Sequence, residues 1–446
     1  MAGADTCSSF RIVYPCGFAG LRHRPFPPNQ RLPVVLAGLG LALYLLISNN
    51  LLVSLGIPYD IPGGGFVFKL HPGTYLIALG FMVLCFRANP RAHWRRLFAI
   101  APAPLILTLV VIGVLVHTLI RFGPSGNAFF IDSLLAPALL ALVLLDATPE
   151  AQRFLFWMTL ALLTVNALLA IGESLTEWRL TPYMAGDQPI LDDYFRSTAL
   201  GGHPLNNALR TGTLLIACLI LPRLLLIFLI PLLVLALLTF GGRTALVMSL
   251  LLLGGWGAYY FLRGIINRTF DVRLVFGLIL VTLMLVVIIA TLTVSLGLGE
   301  RIFQNLSWDS SAESRILVFG VFRFVRLDEW LWGMGQDRIE TVQDILRATT
   351  SLSYLENVWV QLLIHLGLGW FVLLGSALVG MIINLAWRAP LPIKLAAMLF
   401  LILISTNNSL ASKSQDLAIL VAILIGGTAV SRYQNSSVGI DGGRGS

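Results

Sequence analysis

Phe195-Arg196-Ser197-Thr198-Ala199-Leu200-Gly201-Gly202-His203-Pro204-Leu205-Asn206-Asn207-Ala208-Leu209-Arg210 is a polar, twice-basic passage wedged between two long apolar runs. It is too polar to face lipid and too short to be a domain. Gly201, Gly202 and Pro204 make its backbone irregular, and irregular backbone at membrane depth persists only where protein or water satisfies its hydrogen bonds. The passage therefore reads as the wall of a site. Two related passages follow, Phe240-Gly241-Gly242-Arg243-Thr244 and Ser314-Arg315 with its continuation to Glu356-Asn357. All three are expected on one side of a membrane, around an anionic substrate.

Outward from that passage the chain is apolar: of its 446 residues 57% are hydrophobic and 12% charged, with a mean hydropathy of +0.85. A soluble domain carries roughly twice that charged fraction, about 25%. The expectation is an all-α polytopic membrane protein. The net charge of +8 does not point to nucleic acid, because the positive-inside rule already places arginines beside cytoplasmic helix ends. Cys7 and Cys16 lie in a basic N-terminal tail and Cys85 and Cys218 in apolar runs, so no disulfide is expected. Residues 1–31 lack the apolar core of a cleavable signal peptide, and the run from Leu32 to Leu55 is long enough to span. It reads as an uncleaved signal anchor.

Apolar runs long enough to cross a ~30 Å hydrocarbon core divide the chain into about twelve expected spans. They are placed at 32–54, 72–86, 99–120, 128–146, 154–172, 207–222, 223–239, 243–262, 273–298, 357–386, 391–406 and 416–431. The most basic short loop, Arg87 to Arg96, and the next, around Arg263, Arg268 and Arg273, fall on the side of the N-terminal tail. Both termini are therefore expected in the cytoplasm. The tails are 1–31 and 432–446, and the transmembrane domain is 32–431. The opposite side receives the segment 173–206 and a large loop at 299–356, between spans nine and ten. Loops carried on a rigid bundle are where function is expected. The last outer loop, Ser405 to Asp416, reads as an ordinary wet turn, with an acceptor groove as the sharper alternative.

Arg196 and Arg210 flank the Gly-Gly-His-Pro turn, and Arg243 sits on an outer hairpin where the topology rule gives no reason for positive charge. Guanidinium stays charged and forks onto two oxygens, which suits a diphosphate. The competing readings are an ion pair to Asp192 or Asp193 for Arg196, and a snorkelling helix-end arginine for Arg243. His203 is expected at a turn, either bonded to backbone or acting as a phosphate donor or a base. His117 and His365 lie in apolar helices and read as helix-contact residues. Residues 312–326 read as a helix at the membrane surface carrying Arg315 and Arg326, followed by the interfacial anchors Trp330 and Trp332. Glu356 is either a dipole-stabilised acid at a helix start or a base whose dehydrated carboxylate takes a proton from a sugar hydroxyl. Asn206 and Asn357 are the candidates for positioning an acceptor. No paired His/Cys metal spacing and no phosphate-binding Gly-Lys-Ser/Thr loop occurs, so neither metal nor other cofactor is expected.

Taken together, the Arg196 passage with Gly202-His203-Pro204-Leu205-Asn206, the hairpin Gly241-Gly242-Arg243-Thr244-Ala245, Ser314-Arg315 leading to Gly333-Met334-Gly335, and Glu356-Asn357-Val358-Trp359 running to Leu366-Gly367-Leu368-Gly369 resemble the O-antigen ligase and polysaccharide polymerase superfamily of bacterial inner membranes. The resemblance covers roughly residues 195–370. It implies metal-independent glycosyl transfer at the periplasmic face, from an undecaprenyl-diphosphate-linked glycan to an acceptor sugar hydroxyl. The partners implied are that lipid-linked oligosaccharide, a glycan acceptor, the bilayer and other polysaccharide assembly proteins. By motif, Arg196, Arg243 and Arg315 would hold the diphosphate and Glu356 would activate the acceptor. Ligases of the superfamily tend to carry His-Asn where this chain has Glu356-Asn357, which leans the reading towards a polymerase of exopolysaccharide or O-antigen repeats. A ligase of the same chemistry and a transporter of an organic anion or lipid-linked saccharide are the alternatives.

Overall fold

The computed structural model describes residues 31–61, 64–86, 90–185, 188–189, 195–267, 291, 317–350, 355 and 357–441. Among the described residues seven helices are long and apolar enough to cross a membrane, and three shorter apolar helices accompany them. Among the described residues the only strands are β1 (Met184–Ala185) and β2 (Gln188–Pro189), which pair antiparallel. This is the all-helical membrane architecture that composition demands, since lipid offers the backbone no partners and a helix satisfies its own.

The first apolar run is not continuous. It breaks after α1 (Arg31–Leu46), and Ser48 starts α2 (Asn49–Ser54) by accepting the Leu51 N–H at 3.1 Å. Hydroxyl and amide side chains at Ser48, Asn49 and Asn50 favour a cap over a continuing helix. α1 lies antiparallel to α3 (Pro72–Cys85) in near backbone contact: a Cβ on Gly40 would stand 2.6 Å from the Gly73 carbonyl, and one on Gly80 2.8 Å from that of Pro33. Small residues permit this approach, and dispersion then holds the pair.

The basic stretch expected as a loop contains an amphipathic helix, α4 (Pro90–Ile100), which leads into α5 (Pro102–Phe122). α6 (Ala128–Asp146) carries a π-turn at Ile131–Leu135. Its cause is Pro137, which has no N–H to offer one turn back and whose ring crowds the preceding carbonyl. α7 (Pro149–Thr176) is capped by Thr148, which accepts the Ala151 N–H at 3.3 Å. α8 (Pro204–Ala217), α9 (Arg223–Phe240) and α10 (Arg243–Ile266) follow, with the division at Pro222 that the sequence suggests. The run 273–298, expected as a span, lies outside the described residues except for Thr291.

Of the expected surface helix over 312–326, the described part is a 3-10 helix at Val318–Phe324. Bulky aromatic and β-branched residues crowd it. Val318 and Val321 are buried with Ile339, Val342 and Leu346 of α12 (Gln336–Thr349), which follows α11 (Leu327–Trp332). The last described helices are α13 (Val358–Trp387), α14 (Leu391–Ile404) and α15 (Asp416–Asp441). α6 and α15 form the centre, 78% of each membrane-length window being buried against 17% for α10.

α13 is broken at Gly367 (φ 72°, ψ 169°), about 14 Å from its start at 1.5 Å per residue. The carbonyl of Ile364 freed by the break accepts the Met334 N–H at 2.7 Å. Gly333 (φ 82°, ψ 177°) enters the gap. A Cβ on Gly333 would lie 2.1 Å from the His365 oxygen, and one on Gly367 2.5 Å from that of Leu331. The backbone around Gly333 thus interlocks with a helix inside the bundle.

Candidate functional site

The irregular backbone at 195–203 is held by side chains from three neighbouring elements. Glu173, buried near the end of α7, accepts the Ser197 hydroxyl and the N–H groups of Thr198 and Ala199, each at 2.9 Å, and the Leu180 N–H at 2.7 Å. Asn166, two turns earlier, accepts the Leu200 N–H at 2.9 Å and donates to Asn207 at 3.2 Å. Asn207 in turn donates to the Thr198 carbonyl at 2.6 Å, and Asn50 donates to those of Gly202 at 2.7 Å and Pro182 at 3.0 Å. Ala199 is held at φ 39°, a left-handed conformation costing roughly 1–3 kcal/mol in a non-glycine residue. These bonds satisfy backbone that lipid would leave bare.

The passage stands against the second arginine-bearing turn. Ser197 donates its N–H to Thr239 at 3.2 Å, and a Cβ on Gly242 would meet that of Ala208 at 2.4 Å. Arg243, half-buried, opens α10 directly after Gly242. Arg196 is buried with its guanidinium 5.3 Å from the Tyr183 ring centre and 3.4 Å from that hydroxyl. A further arginine joins it: Arg179 donates from Nε to the Arg196 carbonyl at 3.1 Å and lies 4.7 Å from the Phe195 ring and 5.8 Å from that of Tyr183. Sequence reading missed Arg179 because Trp178-Arg179 at a helix end resembles an ordinary interfacial anchor.

His203 is the N-cap of α8: its Nδ1 accepts the Leu205 N–H at 3.2 Å, and its ring meets Tyr183 edge-on at 5.4 Å. With Nδ1 accepting, the ring proton is on Nε2, so His203 in this arrangement is a donor and not a base. Asn206 is half-buried in the first turn of α8.

Arg210 has a role different from the expected diphosphate contact. Its Nε lies 2.5 Å from Asp416 Oδ1 and its Nη2 donates to Gln415 at 3.2 Å, with the arginine side chain 3% exposed and the aspartate fully buried. Its charge is spent inside the bundle, tying α8 to α15.

The loop 405–416, expected as a wet turn, is also largely internal: Ser409, Ser414, Gln415 and Asp416 are buried. Ser133 donates to the Ser412 carbonyl at 2.6 Å and accepts the Ser414 N–H at 2.8 Å, while Asn49 donates to Lys413 at 2.5 Å and accepts from Gln415 at 2.8 Å. Lys413 lies 3.4 Å from Asp60 and donates to the Tyr59 carbonyl. Burial pushes the Asp60 carboxyl up, and the Lys413 ammonium pulls it back. Beside this layer Asp132 in the π-turn accepts the Tyr59 hydroxyl at 2.6 Å, the Thr74 hydroxyl at 2.5 Å and the His71 N–H at 3.1 Å.

Asn357 caps α13, accepting the N–H groups of Trp359 at 3.0 Å and Val360 at 3.1 Å, and Val358 donates to Asn407 at 2.9 Å. Its side-chain oxygen is thus used locally, and it joins α13 to the same polar layer. His117 and His365 are helix-contact residues, the first 3.2 Å from the Trp332 carbonyl and the second buried beside Phe129 at 5.6 Å between ring centres. Arg315 and Glu356 lie outside the described residues. Among the described residues no group of three His, Cys, Asp or Glu is arranged to hold a metal.

Glu173 is the side chain on which the passage depends, and nothing in the sequence marked it beyond its place at the edge of an outer segment. Glu173→Gln replaces acceptor lone pairs by an NH₂ facing donors. It is expected to cost about 2–3 kcal/mol, read as a lower melting temperature of the detergent-solubilised protein. An unchanged melting temperature would remove Glu173 from this role. No protein-family model matches the chain, and no curated protein matches it in sequence.

Proposed function

We propose that this protein is a glycosyltransferase of the bacterial inner membrane, polymerising exopolysaccharide or O-antigen repeat units at the periplasmic face. The donor is an undecaprenyl-diphosphate-linked glycan, the acceptor a sugar hydroxyl, and the family reading is that of the O-antigen ligase and polymerase superfamily. The observation that carries the reading is the Ser197 to Thr239 hydrogen bond with the Gly242 to Ala208 contact, which brings the Arg196 passage and the Arg243 turn together. Two guanidinium-bearing turns fixed at one end of the bundle, with Arg179 beside them, favour an anionic ligand of diphosphate type.

In this proposal the seven long helices, the three shorter ones, α8 and the run 273–298 make about twelve spans, enough for both termini to be cytoplasmic. Arg196 and Arg243 stabilise charge developing on the leaving diphosphate, His203 donates a hydrogen bond, Glu356 takes the acceptor proton, and Asn206 lines the acceptor side. Arg315 completes the cation set from the large loop.

The test is incubation of purified protein with lipid-diphosphate-linked repeat units, with product length read by gel or mass spectrometry. Elongation without added metal supports the reading. Arg196→Ala and Arg243→Ala are each expected to lower turnover by roughly 10²-fold or more, the scale of removing one preorganised donor, with membrane levels of protein unchanged. Full-length polymer at normal rate from both variants would overturn it.

A further inference from the structure

α4 carries a feature that glycosyl transfer does not use. Arg91, Arg95 and Phe98 stand at i, i+4 and i+7, hence on one stripe of the helix, and all three are exposed, Phe98 at 56%. The helix contains no acidic residue. Its third arginine, Arg96, is turned to Asp146 at 3.5 Å, and neither Arg91 nor Arg95 has an ion-pair partner among the described residues. Leu97, buried away from this stripe, seals the helix onto the bundle, and half-buried Trp94 at the edge of the stripe meets Phe81 at 6.2 Å and Phe98 at 6.4 Å. Phe86 and Ile100 at the two ends of this segment are exposed at 86% and 41%.

Water alone does not suit this stripe. Two like charges one turn apart repel, and exposed phenylalanines beside them carry apolar surface that water opposes. Anionic phosphate at the boundary between headgroups and acyl chains satisfies both. We propose that α4 is an interfacial helix that binds acidic phospholipid of the adjoining leaflet, Arg91 and Arg95 holding headgroup phosphates while Phe86 and Phe98 enter the acyl boundary. The helix packs on the ends of α3, α5 and α6, and the site is independent of Arg179, Arg196 and Arg243.

The test titrates the full-length protein in neutral detergent with phosphatidylglycerol or phosphatidylcholine and reads the lipid concentration giving half-maximal thermal stabilisation. Phosphatidylglycerol is expected to act at the lower concentration, and inorganic phosphate to give no stabilisation. Arg91→Gln with Arg95→Gln is expected to shift the phosphatidylglycerol midpoint about 5-fold per arginine and roughly 25-fold for the pair. Arg91→Lys with Arg95→Lys keeps most of the affinity, and Arg347→Gln on distant α12 leaves it unchanged. Identical curves for the two lipids, stabilisation by inorganic phosphate alone, or a wild-type midpoint in the glutamine pair would overturn the proposal.

Discussion

Arg210→Ala is expected to destabilise the protein by about 3–5 kcal/mol, the cost of leaving one member of a buried ion pair without the other. Asp416 is fully buried and its Oδ2 already has no hydrogen-bond partner, so Oδ1 depends on Arg210. Asp416→Asn is expected to fall in the same range, because it strands the guanidinium instead. Arg210→Met with Asp416→Leu removes both charges and is expected to recover most of the loss, as apolar replacement of a whole buried pair commonly does. The exposed pair Arg347 and Asp344, at 3.2 Å with side chains 53% and 71% exposed, provides the contrast. Arg347→Ala should change stability by less than ~0.5 kcal/mol. Thermal melts of the four variants in one detergent check the set. Equal melting temperatures for Arg210→Ala and Arg347→Ala would refute the assignment of Arg210 to the scaffold.

The other large effect is expected at the interlock between the Leu331–Met334 backbone and α13. Gly333 and Gly367 both combine φ near +75° with ψ near 180°, a region essentially closed to residues with a Cβ, at roughly 1–3 kcal/mol each. The added methyl also meets carbonyl oxygen, at 2.1 Å for Gly333 and 2.5 Å for Gly367. Those neighbours are backbone and cannot rotate aside as a side chain does. With overpacking of about 1–3 kcal/mol added, each alanine variant should lose roughly 2–6 kcal/mol. Gly369→Ala, two residues further on with open space at its Cβ position, should be tolerated. Size-exclusion profiles and melting curves of the three variants decide the matter. Wild-type behaviour of Gly367→Ala would show that the break is not required.

The span positions were legible wherever apolar length alone sets them: 128–146 and 223–239 agree with α6 and α9 to within a residue. What escaped sequence reading depends on partners remote along the chain. The break at Gly367 has no local mark, since glycine is common in membrane helices, and its freed carbonyl is satisfied from Met334. Ser405 to Asp416 has the composition of a turn in water, yet its groups are bonded to Asn49 and Ser133, and Arg210 pairs with the aspartate that ends it. The Arg196 passage was recognisable from its glycines and charge, but the carboxylate that shapes it sits a helix away at Glu173.

The pairing of Arg210 with Asp416 also bears on biogenesis. The two are separated by 206 positions, which at about 5–20 residues per second takes the ribosome roughly 10–40 s to bridge. Throughout that interval the Arg210 guanidinium lacks the carboxylate it pairs with in the folded bundle, which arrives only with α15. A chain truncated before Asp416 should therefore be removed by membrane proteolysis, however complete the helices that precede it.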